Sequence, residues 1–283
     1  MNGGGERMDK KKKTVWIIVL ILCVLIIIAG CILLIRSQLA SPSVQREDVT
    51  SATADEATVV PDETAEEAPT SAPDKPDKSF GYKLADADGL DVDFDQLKSI
   101  NTDIYAWLYI PNTNIDYPVL RSTADGNDFF YLDHNMYRQY QFSGSVYSEL
   151  KNNPDMHDPV TVLYGHNMRD GSMFATLYKF SNADFFENNT TAFVVTEDKI
   201  FTYLIYAAYS FDDRHILNSY DFNNVESFRE YLDSTLKPRS YQYNVRENVE
   251  LTTEDRILTL STCTESSGTR YLVQGVLVDE QKR

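Results

Sequence analysis

The chain has 283 residues and a formal net charge of −17, from 43 Asp and Glu against 26 Lys and Arg. With no excess of basic residues to neutralise phosphates, nucleic acid is excluded as an expected partner. Its three cysteines exclude a disulfide-stapled scaffold, because two of them, Cys23 and Cys31, sit in an apolar run and leave Cys263 alone in the remainder.

Taken in order, residues 1–13 form a basic tail with Arg7, Lys10, Lys11, Lys12 and Lys13. Residues 14–35 follow as 22 positions without a charge. At about 1.5 Å rise per residue such a run spans roughly the 30 Å hydrocarbon core. The positive-inside rule then places the tail in the cytoplasm and the bulk of the chain outside the cell membrane, as a single-pass protein. A signal peptide is the competing reading, but its apolar region usually runs to about 7 to 15 residues, and Leu39-Ala40-Ser41 is a weak cleavage site.

Residues 36–79 are expected to be a disordered stalk. Positions 41–79 hold five of the ten prolines, ten acidic against three basic residues, and no aromatic residue. That composition buries too little apolar surface to offset its ordering entropy, and its charges repel.

Residues 80–283 read as one domain with a sizeable core. Asp93 with Gln96 resembles a capping box opening a helix that carries Phe94, Leu97 and Ile100 on one face. Strand-like runs follow at 106–110, 117–120, 144–147, 160–164, 192–196, 200–210, 256–262 and 270–278, rich in β-branched and aromatic residues. About eight strands indicate a closed barrel, so the expected class is mainly β with helical insertions. Residues 172–180 and a run capped by Asn223, with Val225, Phe228, Leu232 and Leu236, carry helical spacing. The second insertion lies in the long connection 210–250, a length that often marks a functional wall or lid. No internal repeat is present.

Cys263 ends the strand-like Thr259-Leu260-Ser261-Thr262-Cys263. A thiolate is the nucleophilic form, and a free thiol is only a few per cent ionised at neutral pH, so a reactive Cys263 needs a base or cation beside it. There are four histidines. His134, His157 and His215 lie in polar or acidic loops, the usual habitat of a solvated imidazole. His166 follows Val160-Thr161-Val162-Leu163-Tyr164 and Gly165, at a strand end. Arg270 lies across the turn-like Glu265-Ser266-Ser267-Gly268, where a hairpin would set it beside Cys263 as an oxyanion donor. An ordinary strand-end arginine pairing with Glu265 remains open. The acidic residues show no ordered ligand spacing, so no metal and no cofactor is expected.

Thr259-Leu260-Ser261-Thr262-Cys263 resembles the TLxTC signature of sortases. Tyr164-Gly165-His166-Asn167-Met168 is similar to their catalytic histidine segment, and Arg270-Tyr271-Leu272-Val273-Gln274 to the strand bearing their catalytic arginine. Trp107-Leu108-Tyr109-Ile110-Pro111, Thr113-Asn114-Ile115-Asp116-Tyr117-Pro118-Val119 and Asp170-Gly171-Ser172-Met173-Phe174 extend the resemblance, toward class B, over nearly the whole domain.

The resemblance implies an eight-stranded sortase-type barrel outside a Gram-positive membrane and a cysteine transpeptidase with catalytic Cys263, His166 and Arg270. Its partners would be secreted proteins bearing a C-terminal sorting signal, and an acceptor amine from a peptidoglycan precursor or a pilin lysine. Ser261, two before the cysteine, alternates onto the same strand face and would contact the sorting peptide. Asn127 and Leu132 would by similarity line the groove. Two alternatives stay open: a thiol endopeptidase that releases product to water, and a non-enzymatic surface binding module with an inert Cys263.

Overall fold

The computed structural model describes residues 79–123, 126–264 and 268–283, so the apolar run 14–35, the stalk up to residue 78, and Cys23 and Cys31 lie outside the described residues. Among the described residues no helix is long and apolar enough to cross a membrane.

Helix α1, Phe94–Ile100, starts where Asp93 accepts from the Gln96 backbone N–H at 2.9 Å, satisfying one of the donors a helix start leaves over. Phe94 and Leu97 bury, while Ile100, expected on the same face, stays exposed at the helix end. The strands are β1 Ile104–Tyr109, β2 Asp116–Leu120, β3 Val146–Tyr147, β4 Val160–Tyr164, β5 Thr191–Val195, β6 Lys199–Asp212, β7 Tyr243–Val245, β8 Ile257–Cys263 and β9 Thr269–Lys282. Eight close a barrel in the order β5-β1-β2-β3-β4-β8-β9-β6, and β5 pairs back onto β6. The unforeseen ninth, β7, adds to β6 through Ala207–Tyr209, beyond the stretch of β6 that β5 occupies. Its three residues are too short and polar to show an alternating pattern.

Two helical expectations are corrected. Residues 172–180 do not form one helix, because Met173 has φ +54° and is held in an isolated bridge to Asn167. The turn therefore begins later, as a 3-10 helix at Ala175–Ser181, followed by α2, Ala183–Asn188, capped by Asn182. After the one-turn α3, Ile216–Ser219, the long helix α4, Val225–Leu236, is capped by Asn224 and not Asn223. Asn224 accepts from the N–H groups of Glu226 and Ser227, whereas the Asn223 N–H donates to Asp221.

Side-chain alternation divides the sheet into two faces. Leu163 of β4, Leu258 and Leu260 of β8, and Tyr271 and Val273 of β9 join the core with Leu108, Val194, Phe201, Leu177 and Phe180. The opposite parity, Val160, Val162, Ile257, Leu272 and Val276, packs against Phe228, Tyr231 and Leu232 of α4. Each fully buried Leu or Phe here contributes roughly 1.5–3 kcal/mol. The helix covers this outer face only in part, and the site lies where the cover ends.

Phe80, Tyr82 and Leu84 pack against the same outer core. Tyr82 donates to the Glu247 carbonyl at 2.8 Å and lies under the Arg246 guanidinium, 4.7 Å from its ring centroid. A chain beginning at Ser79 is expected to keep full stability. One beginning at Asp88 should lose about 2–4 kcal/mol, as read by urea denaturation.

Candidate active site

The hairpin β8–β9 ends in the cross-strand pair Cys263↔Arg270. Directly opposed residues of an antiparallel pair project from the same face, close enough to touch, and Arg270 Nη1 donates to Cys263 Sγ. Cys263 is exposed, and it is a free thiol. Arg270 thus supplies a permanent charge and a donor at the sulfur, and at any oxyanion that forms beside it. The expected competitor, Glu265, lies outside the described residues.

His166 arrives from the neighbouring strand. β4 runs parallel to β8 with Tyr164 level with Ser261 and ends there; His166, two residues past its end, lines the same groove as Cys263 and Arg270. The parities agree: Tyr164, Ser261 and Leu272 are register partners across β4, β8 and β9. Cys263 and Arg270 therefore lie on the strand face of Ile257 and Leu272, which packs against α4 lower down, and His166 meets them at the groove.

The backbone carbonyl of His166 accepts from the Phe174 N–H at 2.9 Å, and its Nε2 lies 2.8 Å from the Leu132 carbonyl. A carbonyl only accepts, so Nε2 carries the proton in this arrangement. Phe142, 64% exposed, stacks on the imidazole with centroids 5.6 Å apart.

Two glycines make these approaches possible. A Cβ on Gly165 would lie 2.7 Å from the Phe174 ring, and one on Gly144, at φ +56°, 2.3 Å from the same Leu132 carbonyl oxygen. Gly165→Ala is expected to cost about 1–3 kcal/mol through overpacking, measured by urea denaturation, because the buried Phe174 has no room to retreat.

Leu132 and Ser261 line the groove around Cys263, together with Phe129, Tyr147 and Arg270. Asn127 does not. Its side chain accepts from the Phe129 N–H at 3.1 Å in the turn that starts the 3-10 helix Phe130–Leu132, so the structure spends it on the loop and brings Phe129 to the groove. That loop is anchored by Asp103, which accepts from Tyr131 (2.7 Å), Thr123 (2.7 Å) and Arg138 (2.6 Å). Burial alone raises the Asp103 pKa, but these donors and the Arg138 charge outweigh it and hold the carboxyl below its ordinary value. A depressed carboxyl contributes its full stabilisation above the unfolded value and loses it as pH falls through the folded one. Asp103→Asn should therefore flatten the loss of stability below about pH 4, compared by urea midpoints at pH 6 and pH 3.

The other histidines depart in part from expectation. His157 stays in its polar loop with its side chain 45% exposed. His134 is half-buried and stacks on Phe130 at 4.1 Å. His215 is not a solvated loop residue: it lines the groove and sets Nε2 2.6 Å from Oε1 of the buried Glu149. Packing, and not its acidic neighbours in the chain, decides its surroundings. Sequence reasoning also missed Glu149, Phe142 and Phe174. For Phe174 the signal present was its apolar run after a glycine, and for the other two no local pattern marks them.

The groove has a volume of about 160 Å³. A hollow of about 210 Å³ lies by Lys83, Pro111, Asn112 and Asn188, but no cysteine or histidine lines it, so chemistry selects the groove at Cys263. Among the described residues no group of three His, Cys, Asp or Glu could hold a metal ion.

A family model described as the Sortase domain matches residues 108–278. Sortase B of Listeria monocytogenes is 35% identical over 185 residues, covering 64% of this chain and 72% of that protein. The structure of Clostridium perfringens sortase B superposes with a TM-score of 0.59 at 34% identity, covering 66% of this chain and all of that one. A Streptococcus pyogenes class B sortase involved in pilus biogenesis gives 0.56 at 31% identity, covering 66% and 98%.

Proposed function

Because the chain belongs to the sortase family, in its class B branch, we propose that it is a membrane-anchored cysteine transpeptidase that joins secreted proteins, cut at a C-terminal sorting motif, to an amine outside the cell. The observation that carries the reading is the Cys263–Arg270 pair closing the β8–β9 hairpin, with His166, just past the end of β4, lining the same groove.

In this reading the Cys263 thiolate attacks the carbonyl carbon of the motif's threonine. The C–S bond forms as the carbonyl electrons move to oxygen, and Arg270 donates to that oxyanion. Collapse breaks the C–N bond, and His166 protonates the departing amine, leaving a thioacyl enzyme. An incoming amine then attacks the thioester carbonyl, His166 takes its proton, and the thiolate departs. One imidazole serves both halves because it alternates as acid and base near neutral pH.

The acceptor is proposed to be a cell-wall amine, with a pilin lysine as the second reading because one similar structure is of a pilus-building sortase. The run 14–35 is proposed as the anchor that keeps the domain at the outer surface.

The test is incubation of the protein with a library of threonine-containing peptides and glycinamide, with joined products identified by mass spectrometry. Peptide–glycinamide conjugates support transpeptidation. Hydrolysed peptide alone would convert the reading to a thiol endopeptidase, and an inert Cys263 to a binding module.

A further inference from the structure

The wall of the groove opposite the barrel comes from the chain that leaves β6 at Asp212. Its one regular element is α3, a single turn of four residues, and a helix that short does not hold itself in water. His215 sits at its start, where a capping side chain would ordinarily accept from the turn. It makes no such bond. Its carbonyl instead accepts from the N–H groups of Asn218 and Ser219, and its imidazole points away to Glu149.

Glu149 belongs to the barrel side. It follows β3 by two residues, is 2% exposed, and meets His215 Nε2 at 2.6 Å. Tyr164 of β4 lies beside it: burial first and then this carboxylate push the Tyr164 hydroxyl far above its ordinary pKa, so the phenol stays protonated. Tyr164 stacks in turn on Tyr147 of β3, with centroids 5.4 Å apart. A buried carboxylate costs several kcal/mol unless it is paired, so Glu149 has a strong demand for its partners. Next to it, Lys151 bonds to Asn218 of α3 as a second strut. Ile216 then buries in the outer core and closes the seat from the other side.

His215 is not placed for proton transfer to substrate. Nε2 is taken by Glu149, and Nδ1 is buried with no hydrogen-bond partner among the described residues. Its role is therefore mechanical.

The geometry points to Glu149 as a positioning residue that latches the β6–β7 wall onto the barrel mouth through His215, and thereby sets the width of the groove that receives the sorting peptide. The peptide part of this inference rests on the sortase reading, whereas the latch itself does not. Opening the latch leaves Cys263 and Arg270 on their strands and His166 held by its own bonds to Phe174 and Leu132, and removes only the wall against which a peptide is pressed. Loss of the latch should thus weaken peptide binding while the chemistry of bound peptide persists.

The test uses the full chain in detergent, with His215→Ala, Glu149→Ala and Glu149→Gln. Three quantities are read: amide hydrogen exchange of residues 213–219, KM and kcat for the best-joined library peptide with glycinamide, and the rate at which methyl methanethiosulfonate blocks Cys263. For His215→Ala, exchange in 213–219 should quicken about tenfold or more while β4 and β8 keep their protection. KM should rise about tenfold with kcat within about threefold, and the small reagent, which needs no wall, should react as with the unaltered protein. Glu149→Gln keeps a carbonyl acceptor for the His215 Nε2–H and should keep KM near that of the unaltered protein, whereas Glu149→Ala should behave as His215→Ala.

Unchanged exchange and KM in His215→Ala would overturn the latch. So would a fall in kcat and thiol reactivity at constant KM, which would put His215 in the chemistry. If no library peptide is joined at all, the transpeptidase reading fails, and the exchange of 213–219 alone still decides the latch.

Discussion

Cys263→Ala is expected to abolish the joining of peptide to amine, with a loss of at least about 10⁴-fold. The exposed sulfur at the end of β8 can attack an acyl carbon and then leave again as thiolate. Ser261 shares its strand face, but it is an alcohol and only 5% exposed. The substitution removes an exposed side chain whose neighbour is Arg270, so the urea midpoint should barely move. Intact-protein mass spectrometry after incubation with peptide should show the thioacyl adduct on the unaltered protein and none on the variant. Joining that persists in Cys263→Ala would sink the mechanism, whatever the fold.

Arg270→Ala should reduce joining by about 10²–10³-fold, the usual effect of removing one oxyanion donor. The fall should appear in kcat more than in KM, because the charge it stabilises exists only in the transition state. Arg270→Lys should recover little. A lysine keeps the charge but not the planar fork that reaches sulfur and oxyanion together. The neighbouring Tyr271 and Leu272 are buried strand residues, so β9 should keep its pairing to β8 and the loss is chemical. A variant with unchanged kcat and a raised KM would assign Arg270 to peptide binding alone.

Much of the fold was legible in the sequence. Strand positions 160–164 and 256–262 coincide within a residue with β4 and β8, because continuous β-branched and apolar runs bounded by polar turns have few other solutions. Asp93 capped α1 for the same local reason. What failed was also local in kind. A helix over 172–180 was expected from apolar spacing, but positive φ at Met173, set by its bridge to Asn167, delays and tightens it. The cap of α4 slipped by one residue because Asn223 and Asn224 are chemically equivalent and only the turn at Asp221 chooses between them.

For the site, the motifs that resemble the family were visible in the sequence and the residues that support them were not: Cys263 ends β8, Arg270 lies at the start of β9, and His166 follows β4 by two residues, all three lining one groove. Asn127 illustrates the limit: its carboxamide is committed to a turn within its own loop, and its distance from the groove is a property of that turn's path.

The sequence by itself determined the class of the fold and the lone thiol in the domain, since both rest on residue type and periodicity over a few positions, while Cys263, His166 and Arg270 came together as a proposed trio only through the resemblance of three motifs to one family. Tertiary structure alone decided that β4 and β8 run parallel with Tyr164 level with Ser261, that His166, Cys263 and Arg270 line one groove, and that Glu149 meets His215 there. Those three facts depend on contacts between residues far apart in the chain. Only packing of the whole barrel selects among the many pairings that local patterning leaves equally good.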